Sequence, residues 1–259
     1  MVKIFDIPIS VLKFSEAAEK FCDFDQNSER RFAATPNAEI LLKSLDNSEL
    51  KDFLQKCDFN FADSVSVQWA AEVEEKKWAK WRAVMELLAL PVRKKWWTAI
   101  PERISGADIF EKICEVASKK GQKIFLIGGM PNAAAKSVKI LQLKFPEIKV
   151  DFFDGKVDAE NEEMIVQKMN EFGAQIVFTP LGSPKQELFL AKNMSKVPTA
   201  KIGMGIGGTL DFFAGEIERA PEWMRKWGME WAFRLVKEPR RIGRIWQAVI
   251  AFPIKVLTI

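Results

Sequence analysis

Residues 120 to 208 alternate between short apolar runs and segments of helical spacing, and this alternation constrains the fold more than any other feature. The apolar runs are KIFLIGG (123–129), IKVDFFDG (148–155), QIVFTPLG (175–182) and KIGMGIGG (201–208). Helical patterns such as NAAAKSVKILQLKF (132–145) and SPKQELFLAKN (183–193) lie between them. Strands that alternate with helices predict an α/β fold, in which a parallel sheet is covered by helices on both faces.

The N-terminal part repeats this pattern more weakly. The strings RFAATPNAEILLKSL (31–45) and CDFNFADSVSVQWA (57–70) each begin like a strand and continue like a helix. They predict either a second lobe or extra strands of the same sheet. We therefore predict a catalytic body over residues 1–208, with lobes of about 1–100 and 101–208, followed by a helical appendage over 209–259.

Two missing residue types restrict the chemistry. The 259 residues include no histidine and no tyrosine, so imidazole catalysis, histidine metal sites and phenol acids are excluded. Proton transfer must then use Asp, Glu, Lys or Cys. The cysteines are Cys22, Cys57 and Cys114, widely spaced and odd in number, which predicts reduced thiols in a cytoplasmic protein, with no disulfide framework, metal site or cofactor.

The C-terminal segment carries an uneven share of the charge. Residues 219–259 contain nine basic and three acidic side chains, although the whole chain has a net charge of only +4. Trp223, Trp227 and Trp231 are spaced to share one helical face, and tryptophan favours the membrane interface. The last apolar run is shorter than a bilayer span and is interrupted by Pro253 and Lys255. We predict peripheral attachment to the inner face of the cell membrane.

Polar and glycine residues follow the predicted strands, where ligands bind in open α/β sheets. Glycines at such turns let backbone amides approach a phosphate, which would suit a sugar nucleotide. For any single glycine, a purely geometric role in the turn is the alternative. The spacing of GMGIGG differs from the dinucleotide fingerprint. The candidates are Thr35, Asn37, Asp63, Gly128, Gly129, Gly182, Ser183, Gln186, Gly207 and Gly208.

Several longer strings occur in a fixed order and carry a family resemblance. They are GGMPNAAAKSVKILQLKFPEIKV, LGSPKQE, GIGGTLDFFAGEIERAPEWM and GMEWAFRLVKEPRR. The chain resembles the WecG/TagA/CpsF glycosyltransferases over roughly residues 102–244, and more weakly upstream. The resemblance implies a Rossmann-like body with a C-terminal appendage. It also implies inverting, metal-independent transfer of N-acetylmannosamine, or a related amino sugar, from a UDP-sugar to polyprenyl-diphosphate-linked N-acetylglucosamine. Such products serve teichoic acid or other surface polysaccharide synthesis.

The resemblance also implies roles for particular residues. Asp63 matches the proposed base, which agrees with the need for a carboxylate in a chain without histidine; capping of the next helix is the structural alternative. Thr35 and Asn37 match a donor-side motif, while Arg103 and Gln186 match further positions of the site. Four arginines match the appendage residues that would face the diphosphate or lipid head groups: Arg234, Arg240, Arg241 and Arg244.

Two features depart from the family pattern. Ser64 follows Asp63 where the family usually has glycine, so the turn requires a negative φ at this serine. The segment between Asp63 and Arg103 is longer than in typical members. Within it, the stretch from Glu72 to Trp97 is amphipathic, with Trp78, Trp81, Met85 and Leu88 at helical spacing. For this segment, a helix packed on the body is favoured over a membrane-contacting flap.

Alternatives to catalysis remain at this point. A catalytically silent relative could act as a binding or scaffold protein in polysaccharide assembly. Nucleic-acid binding by the basic tail is not predicted, because no base-reading motif accompanies it. The expected partners are the UDP-sugar donor, the lipid-linked acceptor, the membrane surface and a possible second copy of the chain.

Overall fold

The computed structural model describes residues 2–89, 97–226 and 229–259; the side chains of Lys226 and Arg241 are not described. Eight strands occur within these residues. They are β1 (Val2–Ile4), β2 (Ile7–Ile9), β3 (Arg31–Ala34), β4 (Phe59–Asn60), β5 (Lys123–Ile127), β6 (Lys149–Phe153), β7 (Ile176–Thr179) and β8 (Ile202–Gly205).

The helices connect these strands in the predicted order. They are α1 (Phe14–Phe21), α2 (Ala38–Asp46), α3 (Ser48–Lys56), α4 (Val65–Lys76), α5 (Lys80–Leu88), α6 (Gly106–Lys119), α7 (Ala133–Lys144), α8 (Glu162–Phe172), α9 (Lys185–Asn193), α10 (Thr209–Phe213), α11 (Glu222–Lys226), α12 (Glu230–Lys237), α13 (Ile242–Trp246) and α14 (Phe252–Thr258). A 3-10 turn (Pro239–Arg241) precedes α13, and a π-helical turn (Gln247–Ala251) joins α13 to α14.

Six strands form one parallel sheet in the order β4-β3-β8-β7-β5-β6. The predicted α/β architecture is confirmed, and the N-terminal strands β3 and β4 join the same sheet as the later ones. Side chains alternate across the sheet: Ile124 and Leu126 of β5 belong to one core, and Phe125 and Ile127 to the other. Helices α2, α3, α8 and α9 cover one face, and α1, α6 and α7 cover the opposite face. Both faces are therefore buried, which explains the nearly continuous apolar strands.

Two glycines in β8 allow α9 to lie unusually close to the sheet. A Cβ atom at Gly203 would lie 2.8 Å from Leu190 Cδ2, and one at Gly205 would lie 2.5 Å from Gln186 Nε2. Real Cβ atoms do not approach other atoms this closely, so any larger residue would push α9 away. The glycines of the GMGIGG string therefore have a packing role as well as their place at a strand end.

A short hairpin that the sequence analysis did not predict begins the chain. Strands β1 and β2 pair through a two-residue turn in which Phe5 and Asp6 both have positive φ, the backbone of a type I′ turn. This conformation is uncommon for an aromatic residue. The Phe5 ring is buried and meets the ring of Phe252 in α14 edge-on, with centroids 5.8 Å apart. The hairpin thus supports the last helix of the chain.

The C-terminal appendage is attached to the body through buried apolar side chains. Phe252 is fully buried, Val256 is nearly so, and α14 packs against α2 and α4. No helix within the described residues has both the length and the apolar character needed to cross a bilayer. Large apolar side chains nevertheless remain exposed along the appendage: Trp223, Met229, Trp231, Val236, Ile242, Trp246, Val249, Ile250, Ile254 and Ile259.

Two expectations about tryptophan-bearing helices need correction. Trp223 lies in α11 and Trp231 in α12, so they do not share one helix as their spacing predicted; Trp227 lies outside the described residues. The predicted helix after Glu72 is also divided, because Lys77 adopts a left-handed conformation that ends α4. Trp78 precedes α5, and residues 90–96 are outside the described residues. The predicted packing face of this segment is largely exposed on α5.

Candidate active site

A cavity of about 920 Å³ opens beyond the carboxyl ends of β3, β4, β7 and β8. Most sequence-predicted site residues line it: Thr35, Asn37, Asp63, Arg103, Gly182, Ser183, Gln186, Gly207, Gly208, Arg234 and Arg244. Its volume lies within the usual range for small-molecule sites, roughly 300–1,000 Å³. The position agrees with the rule that ligands bind at the carboxyl edge of an open parallel sheet.

The charges around this cavity favour an anionic ligand. Its described walls carry six cationic residues, Lys43, Arg103, Lys185, Arg219, Arg234 and Arg244, and four acidic ones, Glu39, Asp63, Asp211 and Glu230. A larger open groove of about 1340 Å³ lies beside it and shares Arg103, Phe212 and Arg219. Five cations and five carboxylates line that groove, so the cavity at the strand ends is the better candidate for a negatively charged donor.

Gln186 fixes the loop that follows β8. Its side chain is 1% exposed, and its Oε1 atom accepts a hydrogen bond of 2.9 Å from the Gly207 N–H. The amide nitrogen of Gln186 donates to Glu187 Oε1 at 2.8 Å, which fixes the orientation of the amide group. Burial raises the pKa of the fully buried Glu187 carboxyl. Gly207 adopts a positive φ of 52° and leaves open space at its Cα, so its backbone faces the cavity without a side chain.

Thr35 and Asn37 follow β3 at the edge of the same cavity. The Asn37 side chain accepts a hydrogen bond from the Ile40 N–H and caps α2. Thr35 is nearly buried, and its hydroxyl lies 3.4 Å from the position a Cβ atom would take at Gly106, the first residue of α6. Because Gly106 has no side chain, the start of α6 can lie close to Thr35.

Asp63 follows β4 and is partly buried in the cavity wall. Burial raises the pKa of its carboxyl group to about 7; the Arg103 guanidinium opposes this shift, and the Glu230 carboxylate adds to it. A carboxyl group with a pKa near neutrality can accept a proton under ordinary conditions, which is the property a general base needs. The capping alternative does not apply to Asp63, because Ser64 is the residue that caps α4.

Ser64, which stands where the family usually has glycine, has the negative φ that the turn after Asp63 requires. Its φ is −144°, an extended conformation that any residue can adopt. Its hydroxyl accepts a hydrogen bond from the Val67 N–H at 3.3 Å. The serine therefore forms the turn after Asp63 without a left-handed backbone.

Glu230 lies between two arginines of the cavity, a contact that the sequence analysis missed. Its Oε1 atom is 3.0 Å from Arg234 NH2, and its Oε2 atom is 3.9 Å from Arg103 NH1. Arg234 is also stacked over the Phe212 ring, 4.8 Å from its centroid. In the string GMEWAFRL the sequence analysis singled out Arg234 and not Glu230. The ion pair of Glu230 with Arg103 could not be predicted from local spacing, because Arg103 lies far away in the chain.

Three further ion pairs, made by two carboxylates, hold the appendage against the cavity. Asp108, in the first turn of α6, contacts Arg219 Nη1 at 2.7 Å and Arg225 Nη1 at 3.4 Å. Glu39 in α2 accepts a 2.7 Å hydrogen bond from Arg244 Nε. Burial raises the pKa of both carboxyl groups, but hydrogen bonds outweigh it and hold the pKa below the usual value: those from Arg219 and Ser105 at Asp108, and those from Lys43 and Arg244 at Glu39. Appendage and body therefore build the cavity together.

Among the residues whose side chains the structure describes, three further sequence-predicted ones do not line this cavity: Gly128, Gly129 and Arg240. Gly128 and Gly129 both have positive φ in the turn after β5. Gly129 lies next to the carboxylate of Asp211, which accepts a hydrogen bond of 2.9 Å from the Met130 N–H. Arg240 is exposed on the turn before α13. Arg241 is in the same turn, but its side chain is outside the described part of the chain. Roles for these four residues in substrate binding stay predictions.

A cavity suited to anions at the carboxyl edge of a parallel sheet, with a carboxyl group of near-neutral pKa in its wall, is the arrangement of a candidate active site in an open α/β enzyme. The chain matches the sequence model of the glycosyl transferase WecG/TagA/CpsF family over residues 2–94 and 88–258. It therefore belongs to this family of glycosyltransferases. The match includes the N-terminal half, where the sequence resemblance was weaker.

Proposed function

We propose that this glycosyltransferase moves N-acetylmannosamine, or a related amino sugar, from a UDP-sugar to polyprenyl-diphosphate-linked N-acetylglucosamine at a membrane surface. The observation that carries the proposal is the position of Asp63, a carboxyl group of raised pKa in a cavity with an excess of cationic side chains. The cavity volume and charge suit a nucleotide diphosphate sugar. The sugar itself follows from family membership rather than from an identified contact.

The proposed reaction is a single displacement with inversion. The Asp63 carboxylate accepts the proton of the acceptor hydroxyl, whose oxygen forms a bond to the anomeric carbon of the donor sugar. The bond between that carbon and the diphosphate oxygen breaks, and UDP leaves with the bonding electrons. Cationic side chains and backbone N–H groups stabilise the charge that develops on the departing diphosphate.

Arg103 and Arg234 are the proposed contacts for that diphosphate. Both guanidiniums lie beside Glu230 in the cavity, so an entering diphosphate would compete with this carboxylate for them. Arg244, which is bound to Glu39 at the cavity edge, is the proposed contact for the diphosphate of the acceptor. The appendage then serves two tasks: it completes the cavity, and its exposed apolar side chains contact the membrane that holds the acceptor.

The test of the proposal is acceptor-dependent release of UDP. Purified full-length protein is mixed with UDP-N-acetylmannosamine, with and without a polyprenyl-diphosphate N-acetylglucosamine, and UDP is measured over time. Release only with acceptor, together with an inverted disaccharide product, is the expected result. Donor binding without any release would favour another sugar or the silent scaffold instead, and absence of donor binding would contradict the proposed donor.

The rate of transfer is expected to rise with pH through an inflection near pH 7. The base must be deprotonated to accept a proton, and the pKa of Asp63 is about 7. Replacing Glu230 by glutamine removes a negative charge that raises this pKa, so the Glu230→Gln variant should have its inflection at lower pH. The measurement is a pH–rate profile at saturating donor, because this profile reports the enzyme–substrate complex.

A matched control separates this local effect from a change in net charge. Glu147 is exposed, and Glu147→Gln makes the same change in charge away from the cavity. Its profile should coincide with that of the unaltered protein. If Glu230→Gln and Glu147→Gln both leave the inflection in place, Glu230 has no influence on the base.

A further inference from the structure

Helix α5 presents an apolar face to solvent. Trp81 is 72% exposed, Met85 58% and Leu88 73%; they are spaced at i, i+4 and i+7, so they lie on one side of the helix. Val84 extends the same side and is also exposed. An exposed cluster of a tryptophan and three other large apolar residues is unusual for a surface that faces only water.

The orientation of α5 is fixed by contacts on its opposite side. Ala83 is fully buried, and its carbonyl oxygen accepts a hydrogen bond of 2.9 Å from the indole N–H of Trp69 in α4. Leu87 packs against the main apolar core. The exposed face is therefore held outward by packing of the other side, and rotation of the helix to bury Trp81 would expose Ala83 and Leu87.

The segment that contains α5 is also held in place where it begins and ends. Glu72 in α4 is fully buried, and its carboxylate accepts hydrogen bonds from the backbone N–H groups of Thr98 and Ala99. The chain that leaves at the end of α4 thus returns to the same helix. Helix α5 is therefore attached to α4, and α4 also packs against α14 of the appendage.

The charges near the exposed face select the kind of partner. Lys80 and Arg82 of α5 are exposed, whereas the acidic residue of this helix, Glu86, is buried. Cationic side chains beside exposed tryptophan, methionine and leucine match the interface of an anionic bilayer, where apolar side chains enter the acyl boundary and basic ones contact head groups.

We propose that the exposed face of α5 is a second membrane-contacting surface, which inserts Trp81, Met85 and Leu88 into the interface of a bilayer containing anionic lipid. The inference rests on the membrane attachment in the proposed function, and it adds a contact outside the appendage. With α5 and the appendage both supported by α4, binding at two places would restrict how the cavity is oriented toward a lipid-linked acceptor.

The test compares vesicle binding of the full-length protein and two triple variants. Trp81→Ser, Met85→Ser and Leu88→Ser together remove the exposed face of α5. The control replaces Val11, Leu143 and Met164 by serine; these are exposed apolar residues outside both α5 and the appendage. Partitioning is measured by co-sedimentation with vesicles of phosphatidylcholine and phosphatidylglycerol, and with phosphatidylcholine alone.

The α5 variant should lose at least about tenfold in its partition coefficient on the mixed vesicles, because interfacial binding scales with buried apolar area. The control should stay within roughly twofold of the unaltered protein. Equal binding by both variants would overturn the proposal. So would a lowered oligomeric state of the α5 variant in lipid-free sedimentation with unchanged partitioning, since the face would then join two copies.

Two readouts distinguish failure of this inference from failure of the proposed function. Vesicle binding needs neither donor nor acceptor, so it tests α5 even if no transfer is found. Transfer to a short-chain, water-soluble acceptor should be unchanged in the α5 variant, while transfer to a vesicle-bound acceptor should fall. An unaltered protein that transfers sugar to the soluble acceptor but does not bind vesicles would overturn the membrane attachment, and with it the α5 inference, while the proposed transfer reaction would stand.

Discussion

Replacing Asp63 by asparagine should lower the rate of sugar transfer by roughly three orders of magnitude, within the range of about 10²–10⁴ ascribed to general acid–base catalysis. Asparagine keeps the size of the side chain but cannot accept the proton of the acceptor hydroxyl. Affinity for the donor should change little, since Asp63 is proposed to act on the acceptor. Single-turnover transfer gives the rate, and calorimetry with UDP gives the affinity.

A matched control uses another aspartate at the end of a strand. Asp154 follows β6, accepts the Asn132 N–H at 3.2 Å and does not line the cavity. Asp154→Asn should keep nearly full activity. An Asp63→Asn variant that transfers sugar at close to the original rate would show that the base is another group. Glu39, Asp211 and Glu230 are the other described carboxylates that line the cavity.

Stability provides a check on folding of the Asp63→Asn variant. The pKa of Asp63 in the folded protein is raised from 3.8 to about 7, so folding disfavours the carboxylate. The ionised group thus reduces stability as pH rises from the lower value through the higher one. The uncharged asparagine avoids this cost, and at pH 8 the variant should unfold at a temperature no lower than the original protein.

Replacing Phe252 by alanine should reduce the free energy of unfolding by about 3–5 kcal/mol, the usual cost of removing a buried phenylalanine ring. Phe252 is fully buried in α14 and packs edge-on against Phe5 of the N-terminal hairpin. Loss of the ring would weaken the attachment of α14. Since Arg244 reaches Glu39 from the same segment, we also expect a higher KM for the lipid-linked acceptor.

Urea unfolding measures the stability change, and limited proteolysis shows whether the appendage alone is released. The control is Ile254→Ala, in the same helix, where the side chain is 57% exposed; its cost should be within about 0.5 kcal/mol. If Phe252→Ala is no more destabilising than Ile254→Ala, α14 does not pack on the body in solution.

The packing of α14 on the body changes the role expected for the basic tail. Its charge and tryptophan content predicted an element for peripheral attachment to the membrane. In the structure, removal of residues 219–259 would uncover Phe5 and the apolar side of α4 that α14 covers. It would also remove Arg219, Arg234 and Arg244 from the cavity wall. A truncated body is therefore expected to be inactive and less soluble.

Features that depend on neighbouring residues were predicted from the sequence. The alternation of apolar runs with helical spacing placed the strands and helices of the parallel sheet between residues 120 and 208, because side-chain periodicity reports local backbone geometry. The same pattern placed the candidate residues at the strand ends. Topology then required Thr35, Asp63 and Gln186 to meet at one edge, and they do line one cavity.

Features that depend on contacts between distant segments were decided only by the tertiary structure. Glu39 and Arg244 are separated by 205 positions, and Glu230 and Arg103 are also more than a hundred positions apart. No local spacing could therefore predict either pair. The exposure of Trp81 on α5 likewise depends on where Ala83 packs, since a helical pattern shows which residues share a face but not which face is buried. The sequence by itself determined the elements, their order and the chemistry available; long-range packing determined which charges share the cavity and which apolar surfaces remain for a membrane.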